Sequence, residues 1–323
     1  MSAYVGIDPA KKSFDIATPL DKGKFRTKAK LPNNPEGFRE TAAWLEKHSE
    51  PGAWVVIEAT SVYHQGIADF LHSKGYRVCV VNPAVIHNFG KDDLRRVKTD
   101  KADAKLIATY ARDKHDKLRE WVPEPLPRRR LRALVRRLED LQEIHQMERN
   151  RLDVAESAVQ ESIQSVIRHV KNEIAETKKA IKDNIDDDPD MRQKRDLIVT
   201  IDGLSDTTAA LILAELGDPL DYDGPRAMVA FAGLNPLVNE SGDWTGPTPI
   251  SRTGSARFRA RLYMPGIVAI KWNPAVKVLA ERLRARGKAP KQIICAAMRK
   301  LLHLVYGVLK SGKPFDPQLA LAH

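Results

Sequence analysis

A chain of 323 residues with 53 Lys and Arg against 42 Asp and Glu, a formal charge of +11, has room for two or three domains and is biased toward a polyanionic partner. Its two cysteines, Cys79 and Cys295, sit in the apolar runs VCVV and IICAA, which excludes a disulfide framework and a cysteine metal site. The start MSAYVGIDPA has no basic region followed by an apolar stretch, and no run of about 18 apolar residues occurs, so the expectation is a soluble cytoplasmic chain without a membrane partner.

AYVGID, SFDIAT and GKFRTKAKL are short β-type runs separated by Pro- and Lys-rich turns. NPEGFRETAAWLEKH opens with Asn34 as a cap and repeats apolar residues at helical spacing through Phe38, Ala42, Trp44 and Leu45. WVVIEAT reads as a buried strand, SVYHQGIADFLHSKG as a helix closed by Gly75, and YRVCVVNPA as a second continuously apolar strand. Three strands in series, followed by alternating helices and strands, predict an α/β domain around a mixed sheet over residues 1–120.

Trp121 to Pro127, with prolines at 123, 125 and 127, reads as a linker. Leu131, Leu134, Val135, Leu138, Leu141, Ile144 and Met147 then form an apolar stripe on a long charged helix, and Val159, Ile163, Val166, Ile167, Val170, Ile174 and Ile181 form a second. Such stripes need partner helices, from this chain or from another, and 121–191 is expected to be a helical hairpin or coiled-coil arm. DDDPD, Asp186 to Asp190, reads as a solvated turn whose Asp188 or Asp190 caps the next helix. Residues 192–323 form a mainly α domain. In it LIVTIDGLSDTTAALILAELG sets two helices around Asp202-Gly203-Leu204-Ser205, similar to a helix-hairpin-helix that offers Gly203 and Ser205 to a phosphate, although the usual second glycine is Ser205. The loop NESGDWTGPTPISRTGS and two apolar helices follow.

Asp100 and Asp103 follow the basic turn RRVK and begin a helix, and a spacing of three puts them on one face. Alone they read as macrodipole stabilisers, worth about 0.3–1 kcal/mol each. Asp8 after the strand VGI and Glu58 at the end of WVVIEAT change that weighing, because a carboxylate among buried residues needs a proton, a partner or a cation. If the two strands are neighbours and the Asp100 helix packs on their ends, four carboxylates converge into an oxygen-only site for Mg²⁺ or Mn²⁺. Arginine clusters supply candidate phosphate contacts: Arg128, Arg129, Arg130 and Arg132 in one, Arg252, Arg257 and Arg261 in another, with a third from Arg282 to Lys291. The nine histidines show no zinc spacing and the glycines form no nucleotide-binding loop.

GIDPAKKSFDIA, IEATSVYH, VVNPA, KTDKADAK, TIDGLSDTTAALIL, FAGLNP, NESG and RLYMP, in this order over nearly the whole chain, resemble the insertion-sequence transposases with an N-terminal RuvC-like domain of DEDD type, a family that includes bridge-RNA-guided recombinases. The resemblance implies an RNase H-like first domain with Asp8, Glu58, Asp100 and Asp103 as catalytic metal ligands, a coiled-coil arm, and a C-terminal transposase domain with Ser241 as nucleophile. It also implies donor and target DNA as substrates, an element-encoded guide RNA, and a nucleoid-associated place in a bacterial cell. One departure is Ser61, where the family often has glycine. Without the resemblance Ser241 reads as a loop hydrogen-bonder, with Ser251 and Ser255 as nearby alternatives. The expected activity is DNA cleavage and rejoining through a phosphoserine by a dimer or tetramer. The competing readings are a RuvC-like endonuclease that activates water, and a non-enzymatic nucleic-acid scaffold.

Overall fold

The computed structural model describes residues 2–91, 100–236, 240–241, 244–245, 250–251 and 254–321, with backbone alone at 100–102, 240–241, 244–245 and 320–321. The chain divides into two compact units, Met1–Glu124 and Pro125–His323.

Among the described residues, the first unit contains β1 (Ser2–Pro9), β2 (Ser13–Pro19), β3 (Phe25–Pro32), β4 (Ser49–Glu58) and β5 (Arg77–Val81), in the order β3-β2-β1-β4-β5. β1, β2 and β3 are antiparallel neighbours, while β1, β4 and β5 run parallel. This is the mixed sheet expected from three strands in series followed by helical crossovers, and it is consistent with an RNase H-like domain. β4 lies inside because Val55, Val56 and Ile57 are fully buried, each such side chain contributing about 1.5–3 kcal/mol. Arg26, Lys28 and Lys30 line the edge strand β3, and charge there discourages pairing with another chain.

Helix α1 (Pro35–His48) starts where Asn34 accepts the N–H groups of Glu36 and Gly37 at 3.1 and 3.0 Å. α2 (Gln65–Ser73) begins later than the sequence pattern indicates, because Ser61 adopts a φ of +48° and a turn intervenes. That left-handed backbone also accounts for the glycine expected at this position. α3 (Pro83–Lys91) and α4 (Asp100–Asp113) follow, and the basic turn RRVK before Asp100 lies outside the described residues. Val5, Ile7, Val55 and Ile57 pack with Phe38 and Leu45 of α1 and Ile67 and Leu71 of α2 on one face of the sheet. Val56, Cys79 and Val81 pack with Ile107 and Tyr110 of α4 on the other. Trp121, expected in a linker, stays on the sheet: its N–H donates to the Val78 carbonyl at 2.7 Å and its ring meets the edge of His72.

Gly6 sets how closely α4 approaches. A Cβ placed on Gly6 would lie 2.4 Å from the Ala108 nitrogen and 2.5 Å from the Ala104 oxygen, so the helix backbone rests directly on β1. Ala104 and Ala108, both buried, keep the helix side of this contact equally small. The Tyr4 ring lies 6.3 Å from that of His115, just beyond the C-terminal end of α4. The helix therefore runs against β1, with its N-terminal turn toward the Asp8 end.

In the second unit α5 (Leu126–Leu152) and α6 (Ser157–Asp186) form a helical hairpin. The partner helix thus comes from the same chain. Leu131, Val135 and Leu138 share a core with Ile181 and Ile185, and the Asn184 side chain reaches back to the Pro127 carbonyl at 3.1 Å. Away from that core Met147, Val154, Val159 and Val166 remain exposed. Asp188 caps α7 (Pro189–Ile198), as the acidic turn predicts. α8 (Asp206–Leu216) is buried almost all round, and α9 (Pro225–Phe231), the short strands β6 (Glu240–Ser241) and β7 (Trp244–Thr245), α10 (Ala256–Trp272), α11 (Pro274–Ala285), α12 (Pro290–Ser311) and α13 (Pro317–Leu321) complete the described elements. α12 is long and apolar enough to cross a bilayer by length and composition, but Leu301, Leu302 and Val305 are fully buried against neighbouring helices. It is the core helix of this unit.

Gly6→Ala forces the α4 backbone away from β1 and is expected to destabilise the first unit by about 1–3 kcal/mol, as overpacking does. Urea unfolding followed by the fluorescence of Trp44 and Trp54 checks this; an unchanged midpoint contradicts the close contact.

Candidate metal centre and nucleic-acid interface

The parallel register of β1 and β4 pairs Ile7 with Ile57, so Asp8 and Glu58 are the next residues on adjacent strands. Neighbouring strands lie about 4.8 Å apart, and matched positions project to the same face. That face is the one Gly6 presents to α4, because residues two apart share a face. Asp8 and Glu58 are both half-buried, and so is Asp103 in the first turn of α4. Asp103 precedes Ala104, the residue whose carbonyl meets Gly6. The α4 direction therefore brings Asp103 to the end of the sheet where β1 and β4 finish in their carboxylates. Asp100 opens the helix, but its side chain lies outside the described residues.

A fifth acid, absent from the sequence-based set, lies beside these. Asp15 of β2 is the direct cross-strand partner of Asp8. It is 8% exposed and accepts the Lys30 N–H at 2.7 Å, next to a register irregularity where Lys30 takes a φ of +58°. Its carboxylate holds the β2–β3 pairing. An aspartate inside the apolar run SFDIAT was the available signal.

Among the described residues no three His, Cys, Asp or Glu side chains form a ready-made cation cage. Asp8 and Glu58 on one face at the sheet end, toward which the α4 turn bearing Asp103 runs, are still oxygen donors of the kind a hard divalent cation takes, with Asp100 as a further candidate ligand. Burial pushes the Cys79 thiol above its usual range, which keeps it a protonated core residue.

In the second unit the described residues of the expected serine loop pair at two places. The Ser251 N–H donates to the Asn235 carbonyl at 2.8 Å, Pro236 bridges Ile250, and Glu240 and Ser241 pair with Thr245 and Trp244. Only two residues, Gly242 and Asp243, separate Ser241 from its partner, so the serine sits at the tip of this short ribbon. Gly-Asp between two strands is a hairpin signal that a loop reading passes over. Of the alternatives, Ser255 caps α10 by accepting the Phe258 N–H at 3.2 Å, and Ser251 lies in the other pairing.

The arginines divide by what they meet. Arg132 Nε donates to the Ala214 carbonyl at 3.0 Å, and Arg136 pairs with Glu215 at 3.2 Å. The Arg128 guanidinium covers Gly217, where a Cβ would fall 1.6 Å from its Nη2. Together they hold the C-terminal end of α8, where cations complement the helix dipole. Tyr222 donates to the Leu216 carbonyl at 2.8 Å in the same place, and burial pushes its pKa up to about 12. Arg129 is half-buried and Arg130 is exposed. Arg257 pairs with buried Glu139 and with Asp140 at 3.0 Å, and Arg261 with Glu139 at 3.4 Å and Glu143 at 3.0 Å. These two guanidiniums tie α10 to α5. Arg252 lies outside the described residues.

Gly203 has a φ of +99° and packs on Ala269 of α10, where a Cβ would come within 2.9 Å. Ser205 caps α8 through the Thr208 N–H, and fully buried Asn273 donates to the Asp202 carbonyl at 3.2 Å. The hairpin between α7 and α8 is therefore anchored to the α10–α11 junction. A cavity of 750 Å³ opens beside Ser205, its lining mixing Val135, Leu138 and Met264 with Lys178, Lys182 and Arg261. By contrast, Arg282, Arg284, Arg286, Lys288 and Lys291 are all exposed at the α11–α12 corner and make no ion pair among the described residues. This third cluster offers the freest cationic surface for a phosphate backbone.

A transposase profile of the DEDD IS110 type matches residues 5–164, and a profile described as Transposase IS116/IS110/IS902 family matches residues 195–281. The pilin gene-inverting protein of Moraxella bovis is 31% identical over 320 residues, 98% of each chain, and that of Moraxella lacunata is equally similar. An uncharacterized 43.6 kDa protein of insertion element IS110 from Streptomyces coelicolor is 22% identical over 123 residues, 38% of this chain and 30% of its own. With the α/β fold and its carboxylate-bearing sheet end, these similarities define the class: an enzyme that cuts and joins DNA, a transposase or recombinase. The chain belongs to the IS110/IS116/IS902 family of transposases.

Saturating Mn²⁺ is expected to raise the thermal midpoint of the full chain, since a cation at about 100 times its Kd adds about 2.7 kcal/mol. Asp8→Asn should abolish that shift, whereas an equal shift in wild type and variant places the ion elsewhere.

Proposed function

We propose that this chain is a site-specific recombinase that cuts and rejoins DNA through a phosphoserine at Ser241, with Mg²⁺ or Mn²⁺ held by Asp8, Glu58, Asp100 and Asp103. The observation that carries it is the parallel register that puts Asp8 and Glu58 on adjacent strands at the sheet end toward which the N-terminal turn of α4 runs. A bound divalent cation would supply charge stabilisation at the scissile phosphate. The placement of Ser241 at a ribbon tip supports its reach toward a DNA strand. In the cleavage step the serine oxygen bonds to phosphorus and the bond to the departing strand oxygen breaks. The serine loses its proton and the departing oxygen gains one. The phosphoserine keeps the phosphodiester's free energy, so attack by a new strand hydroxyl rejoins DNA without ATP.

Inversion of a gene, as the Moraxella relatives are named for, requires rejoining as well as cutting, and favours this chemistry over simple hydrolysis. The net charge and the exposed α11–α12 corner support a nucleic-acid partner; the family resemblance makes donor and target DNA and an element-encoded guide RNA the partners of this reading. Two sites joined in one reaction call for at least two serines, hence a dimer or tetramer.

A nicked suicide duplex from the element's end should trap protein covalently on DNA, resistant to denaturation and lost in Ser241→Ala; a free 5′-phosphate without adduct would instead mean metal-dependent hydrolysis. Arg284→Gln with Lys288→Gln should lower the slope of log affinity against log salt by roughly 2, about one per lost phosphate contact. An unchanged slope moves the DNA path off this corner.

A further inference from the structure

The two ends of the chain segment that carries Ser241 are brought together by glycines. A Cβ on Gly254 would fall 2.1 Å from the Phe231 carbonyl oxygen and 2.5 Å from the Gly233 nitrogen. A Cβ on Gly233 would fall 2.6 Å from the Gly254 nitrogen, and Gly233 itself has a φ of +71°. Two backbones thus touch where that segment leaves α9 and enters α10. Across this neck lies Arg259 of α10. Its Nη1 donates to the Gly254 carbonyl at 2.7 Å on one side and toward the Ala232 carbonyl at 3.4 Å on the other. A Cβ on Gly233 would come within 2.4 Å of the same nitrogen, so the guanidinium fills the space the glycine leaves.

Arg259 differs from its neighbours. Arg257 and Arg261, one helical turn apart, face the carboxylates of α5. Arg259 has no carboxylate partner among the described residues, and it is half-buried. Its charge is directed to two main-chain carbonyls in chain segments that flank the ribbon. A charge-assisted bond of this kind is stronger than a neutral one, and a single guanidinium nitrogen serves both carbonyls. Beside this neck the Ser251 N–H donates to the Asn235 carbonyl and Pro236 bridges Ile250, and further along the same chain segment Ser241 pairs with Trp244.

The geometry points to Arg259 as the positioning residue of the chain segment that carries Ser241: it clamps the neck where the two ends of that segment meet. This deepens the phosphoserine reading and rests on it. Arg259 acts through that segment, its guanidinium being committed to two main-chain carbonyls. Because reacting groups must be placed to within about 1 Å, a loosened neck lowers the chemical rate by about 10²-fold while leaving affinity for DNA in place.

The test compares wild type, Arg259→Ala, Arg259→Lys and Gly254→Ala in the full chain. Hydrogen exchange without DNA reads the Ser251 amide, which should exchange about tenfold faster in Arg259→Ala and Gly254→Ala, the effect of one lost hydrogen bond, and less so in Arg259→Lys. Single-turnover adduct formation on saturating suicide duplex should fall about 10²-fold in Arg259→Ala, with partial rescue by lysine and DNA affinity within about twofold. Unchanged exchange at Ser251, or a loss of DNA affinity that matches the loss of rate, overturns the assignment; the latter would make Arg259 a phosphate contact. Should Arg259→Ala fail to fold, Gly254→Ala, which keeps the arginine and pries the neck apart, decides by the same two measurements. Adduct persisting in Ser241→Ala would sink the nucleophile alone, and the exchange result would still stand or fall separately.

Discussion

The contact between a helix backbone and a strand backbone at Gly6 is the constraint on which the acidic end of the sheet depends. Any side chain there would stand inside α4, between the Ala108 nitrogen and the Ala104 carbonyl. The helix runs along β1 with its first turn toward the sheet end that carries Asp8 and Glu58. Those two carboxylates owe their proximity to a separate cause, the parallel pairing of β1 with β4 in a register that aligns Ile7 with Ile57. A one-residue slip would send one of them to the opposite face, and the buried Val and Ile residues on both faces make such a slip expensive.

The second unit repeats this principle at the neck where Gly233 and Gly254 let two chain segments meet and an arginine bridges them. Several other arginines in this unit serve structure in the same manner. Arg128, Arg132 and Arg136 meet the end of α8, and Arg257 and Arg261 lock α10 to α5 through Glu139. A guanidinium engaged by a buried carboxylate must give up that bond to take a phosphate, and leaving Glu139 unpaired would cost more than a surface contact returns. The exposed α11–α12 corner carries no such penalty. Charge count alone treats these groups as equivalent, although their partners differ.

The neck at Gly233, Gly254 and Arg259 ties together the chain segments that leave α9 and enter α10. The helical hairpin of α5 and α6 is rooted in the same core as α9, α10 and α12. Exposed apolar residues at the far end of the arm, Met147, Val154, Val159 and Val166, lie away from that core.

Local pattern carried much of the fold. Alternation and continuous apolar runs marked β1, β4 and β5, Asn34 and Asp188 announced α1 and α7, and the positions of Asp8, Glu58 and Asp103 at element ends were readable because a lone carboxylate beside buried residues demands an explanation. The start of α2 was misjudged because Ser61 takes a backbone conformation that its identity does not advertise, and Trp121 stayed with the sheet because its hydrogen bond to Val78 links residues far apart in sequence. Asp15 went unnoticed, and Arg259 counted only as one charge of a basic cluster, for the same reason: their partners, the Lys30 amide and the Gly254 and Ala232 carbonyls, are main-chain groups with no sequence signature. Sequence by itself determined which residues are apolar, capped or charged, since periodicity and capping are local. Tertiary structure alone decided which strands are neighbours, how closely α4 lies on β1 and which arginines are already engaged, because those depend on pairing and contact between segments that no local pattern connects.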